Sequence, residues 1–278
     1  MPSAPRARPA EAGASVLAAV RVVSFDFGNT LVPVDRAGLE RVVARMARAV
    51  AARSGPFPVD AFLRLWAEER ERQLAEALAE RREPDLGERV RRVLARLRGV
   101  VPPADGRTWD EAALARLVDP EEAAVALEAY AAAFVALLPP RAGAAVVLER
   151  LSRTLRLAVV SNWPHAPTID RYLAAQGWDR FAAAVVVSAR VGAIKPDVAI
   201  FRAAEAALGL GAADRGRILH VGDDPLADVA GAKAAGWLAA HLHGRPEDSP
   251  LPVGEAGTGV AADLELGSLD ELPPLLGA

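Results

Sequence analysis

"VRVVSFDFGNTL" spans residues 20–31. Its first eight positions form a short, β-branched and almost wholly apolar run that ends at Asp26 and Phe27, with Gly28 next. A run without polar alternation reads as a strand buried on both faces, the kind that belongs in a parallel sheet. In open parallel sheets, ligands bind beyond the carboxyl ends of the strands. Asp26 stands at such an end.

Downstream the period changes. From 36 to about 138, apolar residues recur at three- and four-residue steps: Val42, Val43, Met46 and Val50, then Phe62, Leu63, Trp66, Leu74 and Leu78, then Val90, Val93, Leu94 and Leu97. These are amphipathic helices, broken at "SGPFP" (54–58), Pro84 and "GVVPPADG" (99–106). Asp119 is placed to cap a further helix, with Pro120 at its first position and acids in its first turn. The arginine run "ERVRRVLARLR" (88–98), balanced by the acids at 68–88, reads as a solvated helix face.

After Pro139-Pro140 strands and helices alternate: helix 141–153, strand 155–162, helix 167–176, strand 183–189, helix 197–208, strand 217–224, helix 226–235 and strand 237–242. A Pro/Gly/Asp-rich loop covers 244–258, "VAADLEL" (260–266) reads as a last strand, and Ser268 caps a terminal helical turn. The expected fold class is α/β: a doubly wound parallel sheet with an inserted all-helical cap. Residues 1–20 form a flexible N-terminal segment, 21–35 and 139–278 the core, and 36–138 the cap.

Composition bounds the function. The chain has 278 residues, 52% of them apolar and 25% charged, which excludes dominant disorder. A net charge of −3 offers no electrostatic footprint for nucleic acid or an acidic membrane surface. The absence of cysteine excludes disulfide scaffolds, zinc knuckles and thiol nucleophiles. The longest apolar run, 124–138, contains Glu128 and is too short to span a bilayer. The start of the chain lacks a secretory pattern, so the expectation is a cytoplasmic enzyme; its oligomeric state stays open. Of 33 basic residues only Lys195 and Lys233 are lysines, and only Asn29 and Asn162 are asparagines. Three of these four sit in the segments that carry polar strand ends.

Those strand ends are Asp26-Phe27-Gly28-Asn29-Thr30, Ser161-Asn162-Trp163, and Gly222-Asp223-Asp224 with Asp228 beyond it; Lys195 joins them from "GAIKPD". Gathered at one edge, they supply a nucleophilic carboxylate, hydroxyl and amide donors, a fixed cation and an acidic group. That equipment suits attack on a phosphoryl group held by a divalent cation.

The set resembles the haloacid dehalogenase-like (HAD) superfamily, in the branch with a helical cap between the first two motifs. "DFGNTL" (26–31), "VVSN" at Ser161, "KPD" at Lys195 and "VGDDPLADVAGAKAAGW" (221–237) follow its four motifs in order. The resemblance implies a HAD-like, Rossmann-type core and a Mg²⁺-dependent phosphatase of a small phosphorylated metabolite. Asp26 would form an aspartyl-phosphate. Asp26, the Gly28 carbonyl and Asp223 would hold Mg²⁺, with Asp228 completing that group from behind. Thr30, Ser161 and the backbone N–H groups near Asn162 would hold phosphate oxygens, Asn29, Asn162 and Trp163 would join Thr30 in binding substrate, and Lys195 would neutralise developing charge. Trp163 is expected at the cap–core seam or on the substrate wall, and Asp224 as a helix cap.

One position departs from the pattern. Where the family carries a second aspartate as general acid/base, this chain has Gly28. Such a group is worth about 10²–10⁴-fold in rate. Restoring it would strain the backbone if Gly28 has φ > 0, and His165 is then the next candidate acid. Two other functions compete: a 2-haloacid dehalogenase, which uses the same nucleophile without metal, and a silent phospho-ligand-binding protein.

Overall fold

The structure is a computed structural model that describes residues 17–80, 82–103, 109–254 and 259–278. Its strands are β1 (Val22–Phe25), β2 (Arg156–Ser161), β3 (Ala182–Val187), β4 (Ile218–Gly222), β5 (Leu238–Leu242) and β6 (Leu264–Leu266). They form one sheet, all parallel, in the order β3-β2-β1-β4-β5-β6. Every residue of β1 and β4 is buried, as continuous apolar runs require in the middle of a two-sided sheet. Alternate strand residues feed two apolar clusters: Val23 and Phe25 one, Val22 and Ile218 the other.

Register sets the site. Phe25 pairs with both Val159 and Val221, so residue 26 emerges level with 160 and 222. The strand order reverses direction at β1, and this is the switch point where open sheets leave a crevice.

Between β1 and β2 the described residues form six helices: α1 (Arg36–Ser54), α2 (Val59–Glu80), α3 (Leu86–Leu97), α4 (Glu111–Leu117), α5 (Pro120–Leu137) and α6 (Ala144–Ser152). Asp119 and Glu122 close a full capping box on α5. The buried stripe Val42, Val43, Met46, Ala47 and Val50 of α1 packs on α5. Gly38 lets α1 approach closely, since a Cβ there would lie 2.5 Å from a Leu138 methyl. The apolar cluster continues from these helices into the sheet through Phe27, Phe134 and Trp163.

The arginine run of α3 is not a solvated face. Arg89 and Arg92 are buried at 5% and 3% exposure. Arg89 donates to Gln73 at 2.9 Å and lies over the Trp66 ring, while Arg92 donates to Glu76 at 3.2 Å and lies over Trp109. Carboxylates and rings of the neighbouring elements supply what water would have given.

Of the expected lead-in, residues 1–16 lie outside the described residues, whereas Leu17 and Val20 are buried. Beyond β2 come α7 (Ala166–Gln176) and α8 (Val198–Ala207). The helix expected over 226–235 begins instead with a π-turn, Pro225–Ala230, before the α-helical Gly231–Ala234. That turn lets the Asp228 side chain reach the Asp224 N–H at 2.9 Å. No helix among the described residues is long and apolar enough to cross a membrane.

Candidate active site

Four strand-end segments converge on Asp26. Ser161, the last residue of β2, donates to Asp26 Oδ1 at 2.9 Å. Lys195 Nζ donates to the same oxygen at 2.7 Å, to Asp228 Oδ1 at 2.6 Å and to the Val160 carbonyl at 2.9 Å. Asp26 Oδ2 takes no hydrogen bond among the described residues. One oxygen is therefore fixed and the other is left to react.

Asp223 follows β4. Thr30 Oγ1 donates to its Oδ1 at 3.4 Å, and Arg245 donates to its Oδ2 at 3.0 Å. Ligand oxygens of Asp26, Asp223 and Asp228 lie within 4.8 Å of one another, and all three residues are buried. Both oxygens of Asp228 are already engaged, Oδ1 by Lys195 and His220 and Oδ2 by the Asp224 N–H. Asp228 thus stands behind Lys195, and the remaining candidate donors are Asp26, the Gly28 carbonyl and Asp223, whose oxygens Thr30 and Arg245 engage in this structure. This hard, all-oxygen set fits Mg²⁺, which takes one or two carboxylates and completes its shell with water and substrate oxygens.

Charge is tightly balanced. Burial pushes the Asp26 carboxyl above its ordinary value, and Lys195 pulls it back. Burial and the carboxylates of Asp228 and Asp26 push Asp223 up to about 7, despite Arg245. Burial works against the Lys195 charge, but Asp228 and Asp26 hold its pKa above the usual lysine value. Burial lowers His220, which keeps it a neutral hydrogen-bond partner between Ser24 and Asp228.

The two asparagines hold loops. Asn162 accepts from the Lys195 N–H at 2.8 Å and donates to the Lys195 carbonyl at 3.0 Å, clasping the peptide that carries the cation. Asn29, fully buried at φ 60°, accepts from the Val34 N–H and donates to Ser249 Oγ at 3.0 Å. Both side chains are thus engaged in holding loops. Trp163 sits at the cap–core seam, edge-on to Phe27 and Phe134 with centroids 5.6 and 5.2 Å away. Asp224 caps the π-turn, accepting from the Leu226 and Ala227 N–H groups at 2.8 Å. His165 Nδ1 faces Thr168 Oγ1 at 2.9 Å on the first turn of α7.

Sequence reasoning missed three groups. Arg141 donates to the carbonyls of Thr30 and Asn29 and stitches the nucleophile loop. Glu83, in the loop before α3, accepts from Ser188 Oγ at 2.5 Å, and burial pushes its carboxyl up to about 7. The third is a strap, residues 244–254, laid across the strand ends. Arg245 binds Asp223, Ser249 meets Asn29, Gly254 N–H donates to Asp224 at 2.8 Å, and Arg70 of α2 donates to the Pro250 carbonyl. Leu251 of the strap lies against Gly28. Beyond Pro250 a cavity of about 390 Å³ opens between α1 and α2, lined by Arg36, Arg64, Arg70 and Trp66. His220, a fourth group not singled out, did have a visible signal, a polar residue inside a buried strand run.

The haloacid dehalogenase-like hydrolase family model matches residues 20–236. The Rhythmically expressed gene 2 protein of Drosophila melanogaster is 33% identical over 110 residues, 37% of this chain and 41% of that protein, so the match spans less than half of that relative. Among solved structures, the 2-haloacid dehalogenase of Pseudomonas syringae pv. Tomato is 23% identical with a TM-score of 0.61, covering 93% of this chain and 98% of the other. A Bacillus subtilis HAD-hydrolase bound to magnesium is 19% identical with a TM-score of 0.57, covering 93% and 99%. A HAD phosphatase of Thermococcus onnurineus is 23% identical with a TM-score of 0.55, covering 93% and 98%. At these identities the likeness is one of fold.

Proposed function

The chain belongs to the haloacid dehalogenase-like hydrolase family, and from that premise we propose that it is a Mg²⁺-dependent phosphatase of a small phosphorylated metabolite. The observation that carries this reading is the crowding of Asp26, Asp223 and Asp228, with ligand oxygens within 4.8 Å in a buried pocket. Lys195 and Arg245 are the cations paired with these three carboxylates. A dehalogenase that works without metal gains nothing from adding acids beside its nucleophile, because like charges there raise its pKa. A divalent cation held by Asp26, Asp223 and the Gly28 carbonyl would shield the phosphoryl oxygens from the attacking carboxylate.

In this reading Asp26 Oδ2 attacks phosphorus, and the bond from phosphorus to the leaving oxygen breaks with its electron pair. Lys195 keeps Asp26 ionised for that attack. Ser161 and Thr30 donate to the phosphoryl oxygens as they come within reach. Water then attacks the phosphorus of the aspartyl-phosphate, inorganic phosphate leaves, and Asp26 is restored. With glycine at 28, the leaving oxygen draws its proton from solvent.

The test is hydrolysis of p-nitrophenyl phosphate with Mg²⁺ and with EDTA, beside chloride release from 2-chloropropionate. Turnover that needs Mg²⁺ and stops with EDTA is expected. Metal-independent chloride release would establish the dehalogenase instead, and no turnover of either would leave a binding protein.

A further inference from the structure

His241 and His243 lie two residues apart on and just past β5, so both rings leave the same face of the sheet. Glu265 of β6 is the register partner of His241 and shares that face. Its Oε2 lies 3.2 Å from His241 Nδ1 and 2.8 Å from His243 Nε2. One ligand atom from each of the three residues falls within 4.8 Å of the others. His243 and Glu265 are 55% and 56% exposed, which leaves room for an ion and its waters.

Nε2 of His241 sits 3.2 Å from the backbone carbonyl of Asp223, which only accepts, so this nitrogen is placed to donate there. Nδ1, the other ring nitrogen, is the one turned to Glu265, and the His243 ring stands beside it with centroids 4.5 Å apart.

We propose that His241 Nδ1, His243 Nε2 and Glu265 form a binding site for a divalent transition metal of the zinc class, separate from the carboxylate pocket. Imidazole nitrogens favour zinc, nickel, cobalt or copper, whereas the all-oxygen donors around Asp26 favour magnesium. Two histidines and one carboxylate leave a fourth tetrahedral position for water. The bond from His241 Nε2–H to the Asp223 carbonyl is the outer support that orients a metal-bound imidazole and raises its basicity.

Calorimetric titration of the full-length protein with ZnCl₂, in saturating Mg²⁺ to occupy the carboxylate pocket, tests the assignment. One equivalent of zinc is expected to bind the unaltered protein. His243→Ala and Glu265→Gln, both at exposed positions, are each expected to weaken that binding by about tenfold or more while leaving thermal unfolding without zinc unchanged. Equal zinc affinity in the two variants and the unaltered protein overturns the site. So does a lack of zinc binding by the unaltered protein. Because the readout is zinc binding rather than turnover, failure of the phosphatase reading would leave this result untouched.

Discussion

Leu251 fills the space that a side chain at Gly28 would need: a Cβ on Gly28 would lie 2.7 Å from Leu251 Cδ1 and 3.2 Å from Trp163 Cζ3. The obstacle to an acid at this position is volume and not backbone conformation. Gly28 is not among the residues of positive φ; its neighbour Asn29 is, at 60°. The nearest clashing atom is the tip of a strap side chain, which can be shortened.

Gly28→Asp alone should therefore displace the strap, lower the melting temperature and fail to raise turnover. In the double variant Gly28→Asp/Leu251→Ala, the clash with Leu251 is gone and only the Trp163 ring, 3.2 Å from the new Cβ, must give by a few tenths of an ångström. Single-turnover hydrolysis of an alkyl phosphate should then rise by about tenfold or more, part of the usual acid/base contribution. A double variant no faster than the unaltered protein would show that leaving-group protonation does not limit the rate.

Asp26→Asn should lower phosphatase turnover by about 10³-fold or more with little change in the urea midpoint. The carboxamide oxygen can still accept from Ser161, and Lys195 keeps Asp228 at 2.6 Å. Retention of most activity in purified Asp26→Asn would remove it as the nucleophile.

Asp223 and Asp224 are adjacent and should separate cleanly. Asp224→Ala removes a cap with two N–H partners and the strap bond to Gly254, so thermal melts should show a cost of about 0.5–2 kcal/mol from the cap. Asp223→Ala should abolish the response to Mg²⁺ in a calorimetric titration. Equal loss of Mg²⁺ affinity in both variants would make Asp224 a ligand as well.

Glu83 sets a pH dependence. Its carboxyl titrates near 7 in the fold, raised from 4.5 by burial. Between those values the unfolded chain is ionised there and the folded one is not, so rising pH favours unfolding, by at most about 1.4 kcal/mol per pH unit. Denaturation curves from pH 4.5 to 7 should show this loss in the unaltered protein and a flatter profile in Glu83→Gln. Parallel profiles would mean that Glu83 is ionised in the fold.

The sheet was legible because burial on both faces leaves unbroken apolar runs, and polar residues at their ends stand out against them. Asp26, Ser161, Lys195 and Asp223 are the residues such a reading finds, and the structure brings them together. The strap was legible only as a loop. Proline and glycine announce a turn without saying where its side chains land: Ser249 meets Asn29, 220 residues away, and Arg245 meets Asp223, 22 residues back, and neither separation leaves a local pattern. The burial of Arg89 and Arg92 was hidden for a related reason. Helical period places them on a face, but whether that face meets water or the Gln73 and Glu76 side chains depends on how two helices are packed.

The family match ends at residue 236, and the strap begins after it. The groups proposed to make and break bonds lie inside the matched region, while the arginine on Asp223 and the leucine on Gly28 lie outside it. The carboxylates and the strap that closes over them are thus written in separate stretches of one chain, so a change beyond residue 236 reaches Asp223 and Gly28 through Arg245 and Leu251 without altering a matched residue.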